Sequence, residues 1–307
     1  MLDRRSFLAA AATLLPARGI LASLLGSKAP GHLGLASFSC SLHWRAVGAG
    51  QPGTQFSDAL SFFEYGRKLG ADGVQTGLRS RDPEVARKLR AQVEKAGGTF
   101  EAEIGLPKTE GDLGGFEKEV ELAREAGASV ARGVLLGGRR YETFHSPDDF
   151  REFRARGERS LTLAEPVLRK HGLKLAVENH KDQTVPEMLE MLRKISSEWV
   201  GVCVDLGNNI ALLEDPLEVV KGLAPLAQSV HLKDMAVEIS PEGFLLSEVP
   251  LGTGFLDLGE MVRILRAANP AIVFNLEMAT RDPLRVPCLT PGYWATFPGR
   301  PASDLAG

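Results

Sequence analysis

The stretch Leu173-Lys174-Leu175-Ala176-Val177-Glu178-Asn179-His180 is a short apolar run that stops on three polar residues. Helical sequence brackets it. Upstream, Ser146-Pro147 opens an amphipathic segment that halts at Gly172, and downstream Glu187–Ile195 has the three- and four-residue apolar spacing of a helix with one face on a core. The same unit recurs along the chain. Further apolar runs lie at Leu33–Phe38, Gly73–Thr76, Gly98–Ile104, Ser129–Leu135, Gly201–Asp205, Ser229–Asp234 and Ala271–Glu277. Helical segments separate them: Asp82-Pro83 starts one that ends at Gly97, and Gly259–Ala268 has core-facing spacing. Eight strand–helix units in about 245 residues match the count and length of a closed (β/α)8 TIM barrel. A doubly wound open sheet needs a glycine-rich phosphate loop after its first strand, and Ser37-Phe38-Ser39-Cys40 stands there instead. No linker or low-complexity segment interrupts residues 31–307, which we read as one domain.

Composition narrows the function classes. The chain has 307 residues, 44% hydrophobic and 24% charged, with 36 Lys+Arg against 39 Asp+Glu and a net charge of −3. That balance excludes a disordered or multi-span chain and gives no electrostatic reason to expect nucleic acid or an acidic membrane as partner. Cys40, Cys203 and Cys288 are far apart with no CxxC spacing, which argues against a disulfide framework and a thiolate zinc site.

Residues 1–30 read as an export signal. They begin Met1-Leu2-Asp3-Arg4-Arg5-Ser6-Phe7-Leu8 and continue through an alanine- and leucine-rich stretch to Pro16-Ala17, resembling a twin-arginine leader with Asp3 in place of the usual Ser or Thr. The apolar run, broken by Pro16 and Arg18, is too short to span a bilayer. Ala17, Ala22 and Ala29 are candidate cleavage points. The expected destination is the periplasm, with no membrane attachment of the mature form. Phosphorylated sugars are scarce there, so an unphosphorylated substrate is expected.

In a barrel of this kind, side chains at the C-terminal strand ends face the active-site mouth. Four successive strands place Glu178, Asp205, His231 and Glu277 at that position. Any one alone reads as a strand-end salt bridge or helix cap. Three carboxylates and an imidazole converging from neighbouring strands repel one another unless a cation sits between them. Oxygen-rich ligation with one histidine favours Mn²⁺ or Mg²⁺ first, with Co²⁺ or Zn²⁺ as alternatives. Glu178 and Glu277, from well-separated strands, are candidates for catalytic acid and base. Candidate substrate contacts are His180, Lys233, Asn208 and Arg281. Lys233 reads equally as an ion-pair partner of Asp234 or Glu178, and Arg281-Asp282-Pro283 as a capped turn. Asn179 and Asn208 could orient ligands. Of Glu101 and Glu103 in the third run, we expect one to face inward. Trp44, Tyr293 and Trp294 read as pocket wall or as core, and Pro250-Leu251-Gly252-Thr253-Gly254 as a phosphate cradle or a tight turn.

The stretches Val177-Glu178-Asn179-His180, Val204-Asp205-Leu206-Gly207-Asn208, Val230-His231-Leu232-Lys233-Asp234 and Leu276-Glu277 resemble the sugar phosphate isomerase/epimerase family of xylose-isomerase-like TIM barrels. The likeness runs from about Gly34 to about Pro291. It implies that Glu178, Asp205, His231 and Glu277 bind a divalent metal, that the substrate is a small sugar-like molecule, and that the chain forms a homo-oligomer. An isomerase or epimerase acting through an enediolate is the first expectation. The alternative is a lyase, either a decarboxylase of a 3-oxo sugar acid such as 3-oxo-isoapionate or an inosose-type dehydratase. A non-catalytic sugar-binding protein is the remote alternative. Ketose 3-epimerases of this kind carry a histidine, a glutamate and an arginine where this chain has Asn208, Thr184 and Val237, so their substrate clamp is missing. Endonuclease IV, of the same fold, needs more histidines than the six here.

Overall fold

The computed structural model describes residues 32–279, 281–297 and 299, so the proposed export signal lies outside the described residues. Eight parallel strands close a barrel: β1 (Leu33–Ala36), β2 (Gly73–Thr76), β3 (Thr99–Glu103), β4 (Val130–Gly133), β5 (Lys174–Glu178), β6 (Val200–Asp205), β7 (Ala227–Leu232) and β10 (Phe274–Leu276). Around the barrel the strands run in the order β1, β10, β7, β6, β5, β4, β3, β2, each paired with its neighbours, and β2 closes on β1. The fold is the TIM barrel read from the spacing of apolar runs, in a single domain.

Local chemistry starts and stops the covering helices where the sequence punctuates them. Asp82 accepts from the Glu84 amide, and Pro83 takes the first helical position of Pro83–Lys95. Ser146 accepts from the Asp149 amide at the start of Pro147–His171, which Gly172 ends in the left-handed conformation, φ +65°. Each helix then lays an apolar face on the sheet. Leu161, Ala164 and Leu168 of Pro147–His171 are fully buried, as are Met188 and Met191 of Val185–Ile195. Burying a side chain of Leu or Met size contributes roughly 1.5–3 kcal/mol, so these faces fix the helices more firmly than their caps do.

Two features depart from the sequence reading. The chain between β7 and the helix Leu258–Ala268 forms an antiparallel hairpin, β8 (Asp234–Ser240) and β9 (Gly243–Val249), and β11 (Leu284–Val286) adds a third strand. Gly243 sits at φ +148° where β9 meets β11, and a Cβ there would lie 2.2 Å from the Val286 carbonyl oxygen. The second concerns β3. Residues two apart on a strand share a face, so Glu101 and Glu103 both point inward, Glu101 in a buried layer and Glu103 at the rim beside Ser37.

Candidate metal and substrate site

The strand register sets the site. Glu178 ends β5 opposite Cys203, Asp205 ends β6 opposite His231, and His231 lies opposite Asn275 of β10, two residues before Glu277. Glu178, Asp205, His231 and Glu277 are all buried, and one ligand atom from each lies within 4.8 Å of the others. His231 Nδ1 is 3.3 Å from Glu277 Oε2, 3.6 Å from Glu178 Oε2 and 3.7 Å from Asp205 Oδ2. Nδ1 is a buried atom that makes no hydrogen bond, and Asp205 Oδ2 is met by the Lys233 ammonium at 2.7 Å. An unsatisfied buried nitrogen of this kind is costly, and a hard cation ligated by the three carboxylates and the imidazole satisfies it. The residues present therefore fit a divalent ion.

A polar layer beneath the mouth orients the imidazole. His231 Nε2 lies 2.6 Å from Gln75 Oε1, while Gln75 Nε2 donates to Glu101 at 2.9 Å. Ser229 and Asn275 also donate to Glu101. With its amide nitrogen committed to Glu101, Gln75 presents only an acceptor to His231, so Nε2 carries a proton and Nδ1 faces the carboxylates. Burial pushes the Glu101 carboxyl up, against the hydrogen bonds from Ser229, Gln75 and Asn275.

Cations brace the carboxylates. Arg132, at the end of β4, donates to Glu178 Oε2 through Nε at 2.7 Å and through Nη2. Burial works to raise the Glu178 carboxyl, but Arg132 and His231 outweigh it and hold it well below the usual range. Lys233 Nζ is 2.7 Å from Asp205 Oδ2 and 2.8 Å from Glu277 Oε2, bridging two of the four candidate ligands. Its partners are therefore neither Asp234 nor Glu178.

The remaining candidates divide. Asn208 Nδ2 donates to Glu178 Oε1 at 3.0 Å, and its backbone amide donates to Asp205 Oδ1. Asn179 bonds both the amide and the carbonyl of Asp205, tying the ends of β5 and β6 together. His180 stands at the rim, Nδ1 2.8 Å from the Leu136 carbonyl and Nε2 4.0 Å from Glu178 Oε1. Arg281 is engaged by Glu248 of β9 at 2.8 Å and lies outside the four-residue cluster. Pro250–Gly254 cradles a side chain of the protein itself, because the Gly252 and Gly254 amides both donate to Asp234 Oδ2 at 2.9 Å. A Cβ on Gly254 would lie 2.1 Å from Asp234 Oδ1. Trp44 packs on Phe56 and Phe62, and Tyr293 on Tyr141, so both are core residues. Sequence reasoning missed Gln75, Arg132, Lys181 and Glu248. The signal for the first two was a polar residue inside an otherwise apolar strand.

Residues 63–294 match the Xylose isomerase-like TIM barrel family, and the chain belongs to it. Among curated proteins, it is similar to the 3-oxo-isoapionate decarboxylase of Pectobacterium atrosepticum, 31% identical over 103 residues, which are 33% of this chain and 38% of that protein. The chain spans less than half the length of the curated relatives it matches. Among solved structures, it superposes on a Xylose isomerase-like TIM barrel protein from Mycobacterium smegmatis in complex with magnesium, with TM-score 0.58, 16% identity, and 84% and 94% of the two chains covered. A D-tagatose 3-epimerase-like protein gives TM-score 0.58 and 16% identity over 80% of this chain and 91% of that one. These structural likenesses establish the shared fold.

Proposed function

We propose that this chain is a divalent-metal-dependent isomerase or epimerase that acts on a small unphosphorylated keto-sugar or sugar acid. The observation that carries the reading is the buried convergence of Glu178, Asp205, Glu277 and the free Nδ1 of His231. A bound Mn²⁺ or Mg²⁺ would polarise a carbonyl and its neighbouring hydroxyl, acidify the C–H between them and stabilise the enediolate. The chain's own residues supply the rest. Glu178 and Glu277 enter from strands separated by β6 and β7, so one takes the proton and the other returns it. Arg132 fixes Glu178 in one orientation, and Lys233 does the same for Glu277. His180 at the rim contacts the substrate as it enters.

A second reading, a decarboxylase of a 3-oxo sugar acid, is favoured by two observations. The partial likeness to a 3-oxo-isoapionate decarboxylase is one. The other is where the positions of the epimerase clamp fall. Thr184 caps the helix Val185–Ile195 through Glu187, and Val237 is exposed on the β8–β9 hairpin, so neither grips a ketose. On our reading the protein is exported to the periplasm and works as a homo-oligomer.

A screen of keto-sugars and sugar acids in deuterated water tests the reaction. Deuterium at a carbon next to a carbonyl supports isomerase or epimerase, and released CO₂ supports the lyase. No turnover and no bound metal would leave a barrel that at most binds sugars.

A further inference from the structure

Taking a charge out of water is expensive unless an opposite charge is brought to meet it. Around the four candidate ligands, nearly every cation meets that condition. Arg132 has Glu178, Lys233 has Asp205 and Glu277, and Arg281 has Glu248. Lys181 is different. It is 4% exposed, and its ammonium donates to the amide oxygen of Asn208, with no carboxylate within ion-pair distance among the described residues.

Its backbone adds a second cost. Lys181 lies in the left-handed region at φ +60°, a conformation that side-chain-bearing residues adopt infrequently and that gathers at functional sites. The strain turns the residue inward just past β5. Its contact, Asn208, donates in turn to Glu178, so the ammonium stands one side chain away from the cluster. Burial and the nearby Lys233 depress it to about 8, which is the direction expected of a cation without an anion beside it.

We infer that Lys181 receives an anionic oxygen group of the substrate, so that the ligand class of this site is a sugar acid rather than a neutral ketose. The inference rests on the reading of the site given above and makes it more specific. The substrate brings the charge that the protein leaves out, and the anion docks beside Asn208 while the rest of the molecule reaches Glu178 and Glu277. Lys181 is a substrate-binding residue here, and Asn208 holds it in place.

The test compares three four-carbon probes on the full chain by calorimetry, with and without Mn²⁺: D-erythronate, erythritol 4-phosphate and uncharged erythritol. The wild type should bind D-erythronate about 10-fold or more tightly than erythritol, as a hydrogen bond to a charged partner warrants. A preference for erythritol 4-phosphate over D-erythronate would overturn the assignment of a sugar acid. Lys181→Met should bring the anion to within about 2-fold of erythritol and leave Mn²⁺ affinity within about 3-fold, while Lys181→Arg keeps the preference. Because Lys181 is a buried cation without a counter-charge, ligand-free Lys181→Met should melt no lower than the wild type. An anion preference that survives Lys181→Met, or its absence in the wild type, overturns the inference. Failure of the wild type to bind Mn²⁺ overturns the metal-dependent function instead, and the anion comparison without metal still decides the role of Lys181.

Discussion

Gln75 Oε1 lies 2.6 Å from His231 Nε2 at the floor of the candidate metal site, and this contact decides which imidazole nitrogen is free. Gln75→Leu removes the acceptor while keeping most of the volume. Loss of such an outer partner typically weakens metal binding 10–100-fold, and we expect a Mn²⁺ titration of this variant to show a loss in that range. Gln75→Glu, which still accepts from Nε2, should recover much of it. Equal affinity in all three proteins would contradict the role assigned to Gln75.

Arg132→Met leaves the buried Glu178 carboxylate without its guanidinium. Removing one partner of a buried ion pair costs roughly 3–5 kcal/mol. Urea unfolding in the presence of a chelator should show a loss of that order, and saturating Mn²⁺ should return part of it by supplying another cation. A metal-free variant as stable as the wild type would argue against the pairing.

Asp182 gives a pH signature of stability. Its carboxyl is pushed up from the usual 3.8 to about 7, chiefly by burial, although the Gln183 amide donates to Oδ1. Oδ2 is buried without a partner. A proton bound more tightly in the folded state stabilises fully below about pH 4 and is lost as pH rises through about 7. That contribution is on the order of a few kcal/mol. Unfolding free energies measured from pH 4 to pH 8 should therefore fall with pH, and Asp182→Asn should flatten the slope.

Asp234 supports the loop before the helix Leu258–Ala268. Its carboxylate accepts from the amides of Met235, Gly252 and Gly254. Hydrogen bonds to a charged group contribute about 1.5–3 kcal/mol each, with losses that are not additive. Asp234→Ala should destabilise the protein by several kcal/mol in thermal unfolding, while Asp234→Asn, which keeps one acceptor oxygen, should lose less. Melting temperatures equal to that of the wild type in both variants would show that the loop holds without these bonds.

Legibility in the sequence followed the range of the interactions. The eight barrel strands and the helices opened by Asp82-Pro83 and Ser146-Pro147 were readable because local punctuation and apolar periodicity set them. The four candidate ligands were readable because strand ends in a closed parallel barrel share one rim. The β8–β9 hairpin lies outside the strand–helix repeat, so the repeat does not announce it, although Pro241-Glu242-Gly243 punctuates its turn. Lys233 reads in the sequence as a substrate contact or as an ion-pair partner of Asp234 or Glu178, and its short distances to Asp205 and Glu277 depend on register between β6, β7 and β10. The hydrogen-bonded chain from Glu101 through Gln75 to His231 was illegible for the same reason. Their meeting across the barrel interior joins residues 26 and 156 positions from Gln75, which no local pattern encodes.

The most direct test of the account is the metal content of the purified chain, compared with His231→Ala and Glu277→Ala. The account predicts about one equivalent of a divalent ion in the wild type, or its uptake on adding Mn²⁺ with a rise in melting temperature, and loss of both effects in each variant. A wild type that neither contains nor binds such an ion would contradict it.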